Sequence, residues 1–455
     1  MKQNRKNNPP NNKQLQGKDR IGLVARKIAA KLLGSVLDEK KNLDALIDAK
    51  HGDYAYIALI AKDRALIRAI LMTCLRRKGQ IDDALSKVLD RKTPKNATHL
   101  THSLSVAAAQ ILFLDVPDRA AVDLAVTAIG EDRRTARFSS LANAVLRRLS
   151  KEKTEILQSQ NVGQLCMPPW LFKRFRKSFG KSRAGPIAEI LCHEAALDLT
   201  VKSSPEFWAE KFSGIVLPNG SVRLIPKGPI PDMDGYDDGE WWVQDAAAAM
   251  PATLLGDISG LRVADLCAAP GGKTAQLIHA GAQVTAIEKS QSRLQRLQEN
   301  LERLKLSANI INADILQWQP EQLFDSILLD APCSSTGTIR RHPDILWTKT
   351  SEDITTLAKL QFDLWSKAIE FLKPGGLILF SNCSLDREEG EDLYAKILKS
   401  RDDIEPDPIL ASEAPGLNDA ITGQGTLRTL PIHFPNSDVR LAGLDGFFAA
   451  RLRRK

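Results

Sequence analysis

The sequence predicts a multidomain protein with an all-helical N-terminal domain, a small α+β middle module and a C-terminal α/β domain with a Rossmann-like sheet. Three observations predict this fold class. At 455 residues the chain is too long for one ordinary hydrophobic core. Over residues 19–150, apolar side chains recur at steps of three and four, as in amphipathic helices. Over residues 236–455, short apolar strands alternate with helical segments, which is typical of a parallel sheet.

Composition narrows the function classes before any motif is considered. The hydrophobic share of 43% and the charged share of 26% are those of a soluble globular protein. No apolar run approaches the roughly 20 residues that span a bilayer, so we expect no membrane partner. The formal net charge of +8 favours a polyanionic partner such as nucleic acid. We also expect a monomer.

The cysteines indicate a reducing compartment. Six are scattered along the chain without a C-x-x-C pair, so we expect neither a metal site nor a disulfide framework. A cytoplasmic location follows. Cys74, Cys166 and Cys192 are predicted to be small buried apolar residues.

In chain order, residues 1–18 are polar and basic, and we expect a disordered tail. Residues 19–150 form the helical domain, in which chemistry-bearing side chains are sparse, so a binding role is expected. Residues 160–235 form the middle module. It combines a basic helix, which begins near Trp170, with a strand at Leu197–Val201. Its exposed charges are predicted to guide RNA towards the C-terminal domain of residues 236–455.

A glycine-containing loop follows the first strand of the C-terminal domain. Asp265-Leu266-Cys267-Ala268-Ala269-Pro270-Gly271-Gly272-Lys273-Thr274 joins that strand to a helix. Its small residues let a ligand approach the backbone, and the helix N-terminus offers free N–H groups. Neither Leu266 nor Cys267 supplies the first glycine of a P-loop, and the dinucleotide fingerprint G-x-G-x-x-G is absent. The loop therefore suits a carboxylate or ribose better than a pyrophosphate.

Four acidic residues follow successive predicted strands. They are Asp265, Glu288, Asp314 and Asp330. Ligands of open α/β sheets bind at the carboxyl ends of the strands, where an acid on strand two accepts hydrogen bonds from ribose hydroxyls. Together with the loop, these acids predict a nucleoside cofactor without a phosphate chain, and S-adenosylmethionine fits this description.

Two cysteines lie just beyond strand ends on the same predicted edge. Cys333 follows Asp330-Ala331-Pro332, and Cys383 follows Ser381-Asn382. Methylation at carbon 5 of a pyrimidine needs a thiolate beside a methyl donor, because addition of sulfur to carbon 6 makes carbon 5 nucleophilic. Asp330 is placed to stabilise charge at ring nitrogen 3. The residues alone do not decide which of the two cysteines attacks.

These motifs resemble the RNA 5-methylcytosine methyltransferases of the RsmB/NOP/Sun group. The glycine loop, the block from Asp330 to Gly337, Cys383-Ser384 and the terminal Asp445–Leu452 carry the resemblance. Ala107–Leu112 and Asn143–Arg147 are similar to the NusB-like RNA-binding domain that is fused to the 16S rRNA branch. The sequence departs from the group at Asn382, where members often have threonine.

The resemblance implies a class I S-adenosylmethionine-dependent methyltransferase domain and assigns the site residues. Cys383 would be the nucleophile, Cys333 would aid product release, and Asp330 would stabilise the cytosine ring. Cofactor contacts would come from Cys267, Ala268, Ala269, Pro270, Gly271, Gly272, Lys273, Glu288, Asp314 and Asp330. The expected substrate is 16S rRNA. Two alternatives stay open: the same chemistry on tRNA or another rRNA site, and a non-catalytic, antitermination-like RNA-binding factor.

Overall fold

A computed structural model describes residues 22–91, 93–94 and 97–455. The predicted tail of residues 1–18 lies outside the described residues. The chain divides into two compact units, with the boundary between Leu165 and Cys166. The proposed limits of the separate middle module, residues 160–235, stay a prediction.

The first unit is helical throughout its described residues, as the apolar periodicity predicts. Six helices have eleven residues or more, and three are single turns. Leu32, Ile70, Leu104 and Leu146 are fully buried on the inward faces of four long helices. The helices are α1 Leu23–Leu37, α2 Leu43–Leu46, α3 Tyr54–Ile57, α4 Ala61–Arg76, α5 Lys78–Val88, α6 Thr98–Phe113, α7 Asp118–Glu131, α8 Ser139–Gln158 and α9 Val162–Leu165.

The second unit begins with a long interrupted helix and a small antiparallel sheet. Its four strands lie in the order β2-β3-β1-β4. Gly180 interrupts the helix with φ 76° and ψ 170°, a conformation that glycine adopts without strain from a Cβ. The elements are α10 Pro169–Ile190, β1 Leu197–Val201, α11 Pro205–Phe212, β2 Ile215–Val216, β3 Val222–Leu224, β4 Trp241–Val243 and α12 Ala246–Thr253.

A larger, mixed sheet forms the core of the second unit, and its path is β10-β12-β9-β8-β5-β6-β7, with β11 paired to β12. The predicted strand-helix alternation is confirmed, since β5 to β9 are parallel. The elements are β5 Arg262–Leu266, α13 Gly272–His279, β6 Gln283–Glu288, α14 Gln291–Arg303, β7 Asn309–Asn312, β8 Phe324–Asp330, α15 Ile345–Thr348, α16 Ser351–Glu370, β9 Leu372–Asn382, α17 Glu391–Ser400, β10 Ile404–Pro406, β11 Leu427–Thr429 and β12 Phe447–Arg454.

Both faces of this sheet are covered, which explains its continuous apolar strands. Ile327 and Leu329 pack with Trp365 of α16 on one face, and Leu328 packs with Met250 of α12 on the other. The ring of Trp365 stacks on Phe380 of β9 at 4.1 Å between centroids. The core therefore fixes the strands whose carboxyl ends carry the candidate site.

The cysteine prediction was wrong for one pair. Cys166 and Cys192, expected to be isolated thiols, form a disulfide with their Cα atoms 6.1 Å apart. They flank α10, and the interruption at Gly180 lets its two halves turn so that the ends approach each other. The two cysteines are 26 residues apart in the chain, and no local pattern in the sequence indicates that they lie close together.

A buried ion pair ties the small sheet to the C-terminal segment. Arg223 donates two hydrogen bonds of 2.7 Å to Asp198, and further bonds to the carbonyl oxygens of Leu441 and Gly443. The Arg223 and Asp198 side chains are 3% and 1% exposed. Removing one partner would leave an uncompensated charge in the interior.

Arg223→Met should therefore destabilise the second unit by about 3 to 5 kcal/mol. Urea denaturation followed by tryptophan fluorescence would measure the shift in the midpoint. Arg440→Met is the matched control, because Arg440 is 68% exposed where it pairs with Asp438. An Arg223→Met midpoint equal to that of the control would contradict the assignment of a structural role to the buried pair.

Candidate active site

The glycine loop lies at the carboxyl ends of β5, β6 and β8. Leu266 pairs with Ile287 and with Leu329, so the residues that follow these strands meet at one edge. Cys267 and Gly271 have φ of 63° and 104°, and this left-handed backbone turns the chain from β5 into α13. Arg293 and Asn300 of α14 donate hydrogen bonds to the Ala269 and Pro270 carbonyl oxygens.

A cavity of about 470 Å³ opens beside this loop. Among the predicted cofactor residues, Ala268–Lys273 and Asp330 line it. Its lining also includes Trp242, Gln244 and Tyr236. Cys267, Glu288, Asp314, Cys333 and Cys383 are not among its lining residues, although they lie at the same edge of the sheet.

Two buried acids at this edge have an oxygen without a hydrogen bond. Asp265 accepts from the Thr274 hydroxyl at 2.6 Å through Oδ2, whereas its Oδ1 has no partner. Glu288 accepts from the Ser290 N–H at 2.9 Å through Oε1, while its Oε2 has only the Arg293 guanidinium at 3.4 Å. Burial, with a smaller contribution from Asp330, raises the pKa of Asp265 to about 7, although the Thr274 hydroxyl opposes this rise. Free acceptors in these positions suit a ligand with N–H or O–H donors.

Asp330 links the glycine loop to the strand that leads to Cys383. Lys273 of the loop contacts its Oδ2 at 2.8 Å, and the hydroxyl of Ser381 donates to its Oδ1 at 3.0 Å. Lys273 also lies over the Phe447 ring, 5.0 Å from the centroid. Asp314 forms an ion pair with Lys289 at 2.8 Å and lies at the outer end of the same edge. The predicted alignment of the four acids is therefore observed.

The two cysteines are brought together by the register of β8 and β9. Asp330 of β8 pairs with Ser381 of β9. Cys333 follows Asp330 by three residues, and Cys383 follows Ser381 by two. The sulfur atoms of Cys333 and Cys383 lie 3.5 Å apart. The hydrogen bond from the Cys333 thiol lowers the pKa of Cys383, although burial and Asp330 oppose this. The same hydrogen bond and burial raise the pKa of Cys333. These opposite shifts favour Cys333 as the sulfur that keeps a proton shared by the pair.

A close backbone contact locks the loops around these cysteines. The Gly337 N–H donates to the Cys383 carbonyl oxygen at 2.9 Å, and the Gly446 N–H donates to the Gly337 carbonyl oxygen at 3.0 Å. A Cβ on Gly337 would lie 1.8 Å from the Gly446 oxygen, so no side chain fits there. This contact brings the terminal segment before β12 against the Cys333 loop.

Comparisons with known proteins agree with this architecture. A family model described as 16S rRNA methyltransferase RsmB/F matches residues 252–453, and the NusB family model matches residues 23–151. Ribosomal RNA small subunit methyltransferase B of Escherichia coli O17:K52:H18 is 30% identical over 448 residues, covering 94% of this chain and 98% of that protein. The chain belongs to the 16S rRNA methyltransferase RsmB/F family.

Further relatives give the same result for this RsmB/F family member. Ribosomal RNA small subunit methyltransferase B of Serratia proteamaculans is 32% identical over 397 residues, covering 83% of this chain and 90% of that protein. Among solved structures, PH0851 matches with a TM-score of 0.70 at 22% identity, over 96% of this chain and all of that one. A methyltransferase homologue from Pyrococcus horikoshii matches with a TM-score of 0.51 at 26% identity, over 62% of this chain and 94% of that one. The predicted fold class is confirmed.

Three features of this RsmB/F chain were not predicted from its sequence. Arg341 lines the cavity and pairs with the buried carboxylate of Asp445. Burial raises the pKa of Asp445 to about 6, although Arg341 opposes that rise. Glu389 is fully buried behind the two cysteine loops. In the sequence, Glu389 stands beside Glu388, and nothing there marks which of the two turns inward.

Two further observations concern membranes and metal ions. Over residues 22–91, 93–94 and 97–455, no helix combines the length and apolar character needed to cross a bilayer. Within the same part of the chain, no cluster of three or more His, Cys, Asp or Glu side chains is arranged to hold a metal ion.

Proposed function

We propose that this chain transfers a methyl group from S-adenosylmethionine to carbon 5 of a cytosine in 16S ribosomal RNA. One observation carries the proposal: the thiols of Cys333 and Cys383 lie 3.5 Å apart at the sheet edge that also holds Asp330 and the glycine loop. Methyl transfer to a nitrogen or oxygen atom needs no thiol, whereas methyl transfer to an unactivated ring carbon does.

The residues present fit S-adenosylmethionine. The cavity of about 470 Å³ is within the range of small-molecule sites. The unpartnered oxygens of Asp265 and Glu288 would accept hydrogen bonds from the amino group and the ribose hydroxyls of the cofactor. We assign the cofactor contacts to Cys267, Ala268, Ala269, Pro270, Gly271, Gly272, Lys273, Glu288, Asp314 and Asp330. The bound cofactor supplies the methyl group.

Cys383 performs the first step in this proposal. Its thiolate forms a bond to carbon 6 of the cytosine, and the electron pair of the ring double bond moves towards carbon 5 and ring nitrogen 3. The hydrogen bond from Cys333 stabilises the thiolate before attack. The cytosine would have to leave its stack to reach this recessed thiol.

Asp330 and Cys333 serve the later steps. Ring nitrogen 3 takes up a proton from solvent as the electron pair moves towards it, and its N–H then donates to the Asp330 carboxylate, which Lys273 and Ser381 hold in place. After methyl transfer, a base removes the proton from carbon 5. The electrons of that C–H bond restore the ring double bond, and the pair of the carbon–sulfur bond returns to Cys383. We assign Cys333 to this release step because it lies within hydrogen-bond distance of the leaving sulfur.

Bisulfite sequencing tests the proposed substrate. In cells that lack the gene, one cytosine of 16S rRNA should lose its protection from conversion, and the purified protein with S-adenosylmethionine should restore it. Reactions with naked 16S rRNA, small ribosomal particles and tRNA in parallel separate the substrate classes. Unchanged 16S protection, or transfer to tRNA alone, would overturn the 16S assignment. Because ribosomal RNA is the proposed substrate, we expect the reaction to take place in the cytoplasm.

The exposed face of α10 is a candidate RNA-binding surface. Lys173, Arg176 and Lys177 are exposed on this helix. Arg174 on the same helix donates to Asp386 at 2.6 and 2.8 Å, which fixes the helix beside the segment that follows Cys383. A basic helix anchored there would contact RNA phosphates close to the target nucleotide.

Replacing Lys173, Arg176 and Lys177 together by glutamine should weaken RNA binding and flatten its salt dependence. Three lost phosphate contacts would reduce the slope of log K against log salt by about 2. Fluorescence anisotropy at several salt concentrations measures this slope. Glutamine at Lys359, Lys396 and Lys399, which are exposed on α16 and α17, is the control with equal loss of charge. Equal slopes for the two triple variants would argue against the α10 surface.

A further inference from the structure

Glu389 is a fully buried carboxylate with an unusually complete set of donors. It lies in the turn Arg387–Glu389, between β9 and α17, and is 0% exposed. Its Oε1 accepts from the Ser334 N–H and from the Gln361 side-chain amide, each at 2.9 Å. Its Oε2 accepts from the Ser384 hydroxyl at 2.5 Å and also from the Ser334 hydroxyl. Such a set of donors holds an ionised carboxylate in one orientation.

Three of these four donors belong to two separate loops, and each loop carries one of the two thiols. Ser334 directly follows Cys333 after β8, and Ser384 directly follows Cys383 after β9. The Glu389 main chain makes a further link, because its carbonyl oxygen accepts from the Asn382 side chain at 2.6 Å. Gln361 also donates to the Pro332 carbonyl oxygen at 2.9 Å. A single carboxylate therefore bridges the residues next to both sulfurs.

We propose that Glu389 is a positioning residue that sets the distance and orientation between Cys333 and Cys383. It contacts neither sulfur directly and would act through Ser334 and Ser384. Pairing between β8 and β9 ends at Asp330 and Ser381, and β12 pairs with β9 as far as Asn382, so neither ladder includes the two cysteines themselves. A shift of about 1 Å in such a pair would cost roughly 100-fold in rate. This role rests on the proposed function of the two thiols.

The charge of Glu389 also affects which sulfur keeps the shared proton. Glu389 raises the pKa of Cys333, after the larger effects of the Cys383 hydrogen bond and burial. Asp330 and Asp445 raise the pKa of Cys383, and the Arg341 guanidinium next to Asp445 opposes them. Burial raises the pKa of Glu389, and its hydrogen-bond donors oppose that rise. The charge of the ionised Glu389 favours retention of the shared proton by Cys333.

A trivalent arsenical, phenylarsine oxide, measures the spacing of the two thiols independently of methyl transfer, because one arsenic atom bonds two sulfurs only where they lie close together. In the wild-type protein, mass spectrometry should find one arsenical bridging Cys333 and Cys383, and Cys333→Ser should abolish the bridge. In Glu389→Ala, we expect the bridging rate to fall about 10-fold or more and methyl transfer about 100-fold. The KM values for RNA and S-adenosylmethionine should stay within about threefold.

Glu389→Gln separates position from charge. Its amide can keep the Ser334 N–H and Gln361 contacts, and the two serine hydroxyls can rotate to accept from the new N–H₂ group. We expect this variant to retain arsenical bridging while the pH profile of methyl transfer changes. Glu388→Gln is the matched control in the same turn, since Glu388 is 40% exposed and pairs with Arg174.

Bridging and transfer within about threefold of wild type in Glu389→Ala would overturn the proposal. A parallel loss of thermal stability and cofactor binding would overturn it too, because it would indicate a merely structural role. If wild-type protein transfers no methyl group to RNA while Glu389→Ala still loses the arsenical bridge, the proposed function fails and the positioning role stands.

Discussion

Cys383→Ala should reduce methyl transfer to RNA by at least about 1,000-fold, because it removes the sulfur that we propose to bond carbon 6 and so activate the ring. Cofactor binding should remain near normal, since Cys383 does not line the cavity beside the glycine loop. Single-turnover transfer of a labelled methyl group measures the first effect, and isothermal titration with S-adenosylmethionine measures the second.

Cys74→Ala is the appropriate control for this experiment. Cys74 is a buried thiol of the helical unit that contacts the Ser105 carbonyl oxygen, and burial raises its pKa. Its loss should leave the transfer rate close to that of the wild type. Turnover of the Cys383→Ala protein at the wild-type rate would refute the assignment of Cys383 as the nucleophile.

Strand periodicity was enough to predict the parallel part of the sheet and the edge that carries the site. The first four apolar runs each end near an acid, and parallel strands place their carboxyl ends together, so Asp265, Glu288 and Asp330 had to lie close to one another. The pairing of Asp330 with Ser381 then placed both thiols at that edge. Local pattern and backbone geometry determine these features.

Long-range contacts could not be predicted in this way. The antiparallel strand β12 pairs with β9, and Ala450 lies opposite Phe380, across 70 residues of chain. No local signal in the sequence fixes such a pairing, because an apolar strand can join either edge of a sheet. The Cys166–Cys192 disulfide and the inward orientation of Glu389 likewise could not be predicted from local sequence. Both depend on how distant segments pack rather than on the spacing of residues.

The two thiols are distinguished by their surroundings, not by their sequence motifs. Both follow parallel strands, both are half-buried, and each is the hydrogen-bond partner of the other. Glu389 hydrogen-bonds to Ser334 and Ser384, the residues next to the two thiols. It is among the leading causes of the raised pKa of Cys333 but not among those of the pKa shift of Cys383. This asymmetry favours Cys383 as the attacking sulfur, in agreement with the role that the family resemblance implies.

Cys333→Ala should cause a covalent protein–RNA adduct to accumulate. Attack by Cys383 and methyl transfer would still proceed, whereas release would lose the thiol next to the leaving sulfur. We expect multiple turnover to fall about 100-fold, as is typical for loss of a proton-transfer group. Denaturing gel electrophoresis of a reaction with labelled RNA should reveal a band that combines the masses of protein and RNA.

The double variant Cys333→Ala, Cys383→Ala decides which sulfur forms that bond. It should give no adduct, because the adduct in the single variant requires Cys383. If instead Cys383→Ala accumulated an adduct and Cys333→Ala did not, the roles of the two thiols would be exchanged. The 3.5 Å between the sulfurs makes this exchange physically feasible, since either one could reach a ring placed beside Asp330. The hydrogen bond that lowers the pKa of Cys383 and raises that of Cys333 is the reason to expect the first result.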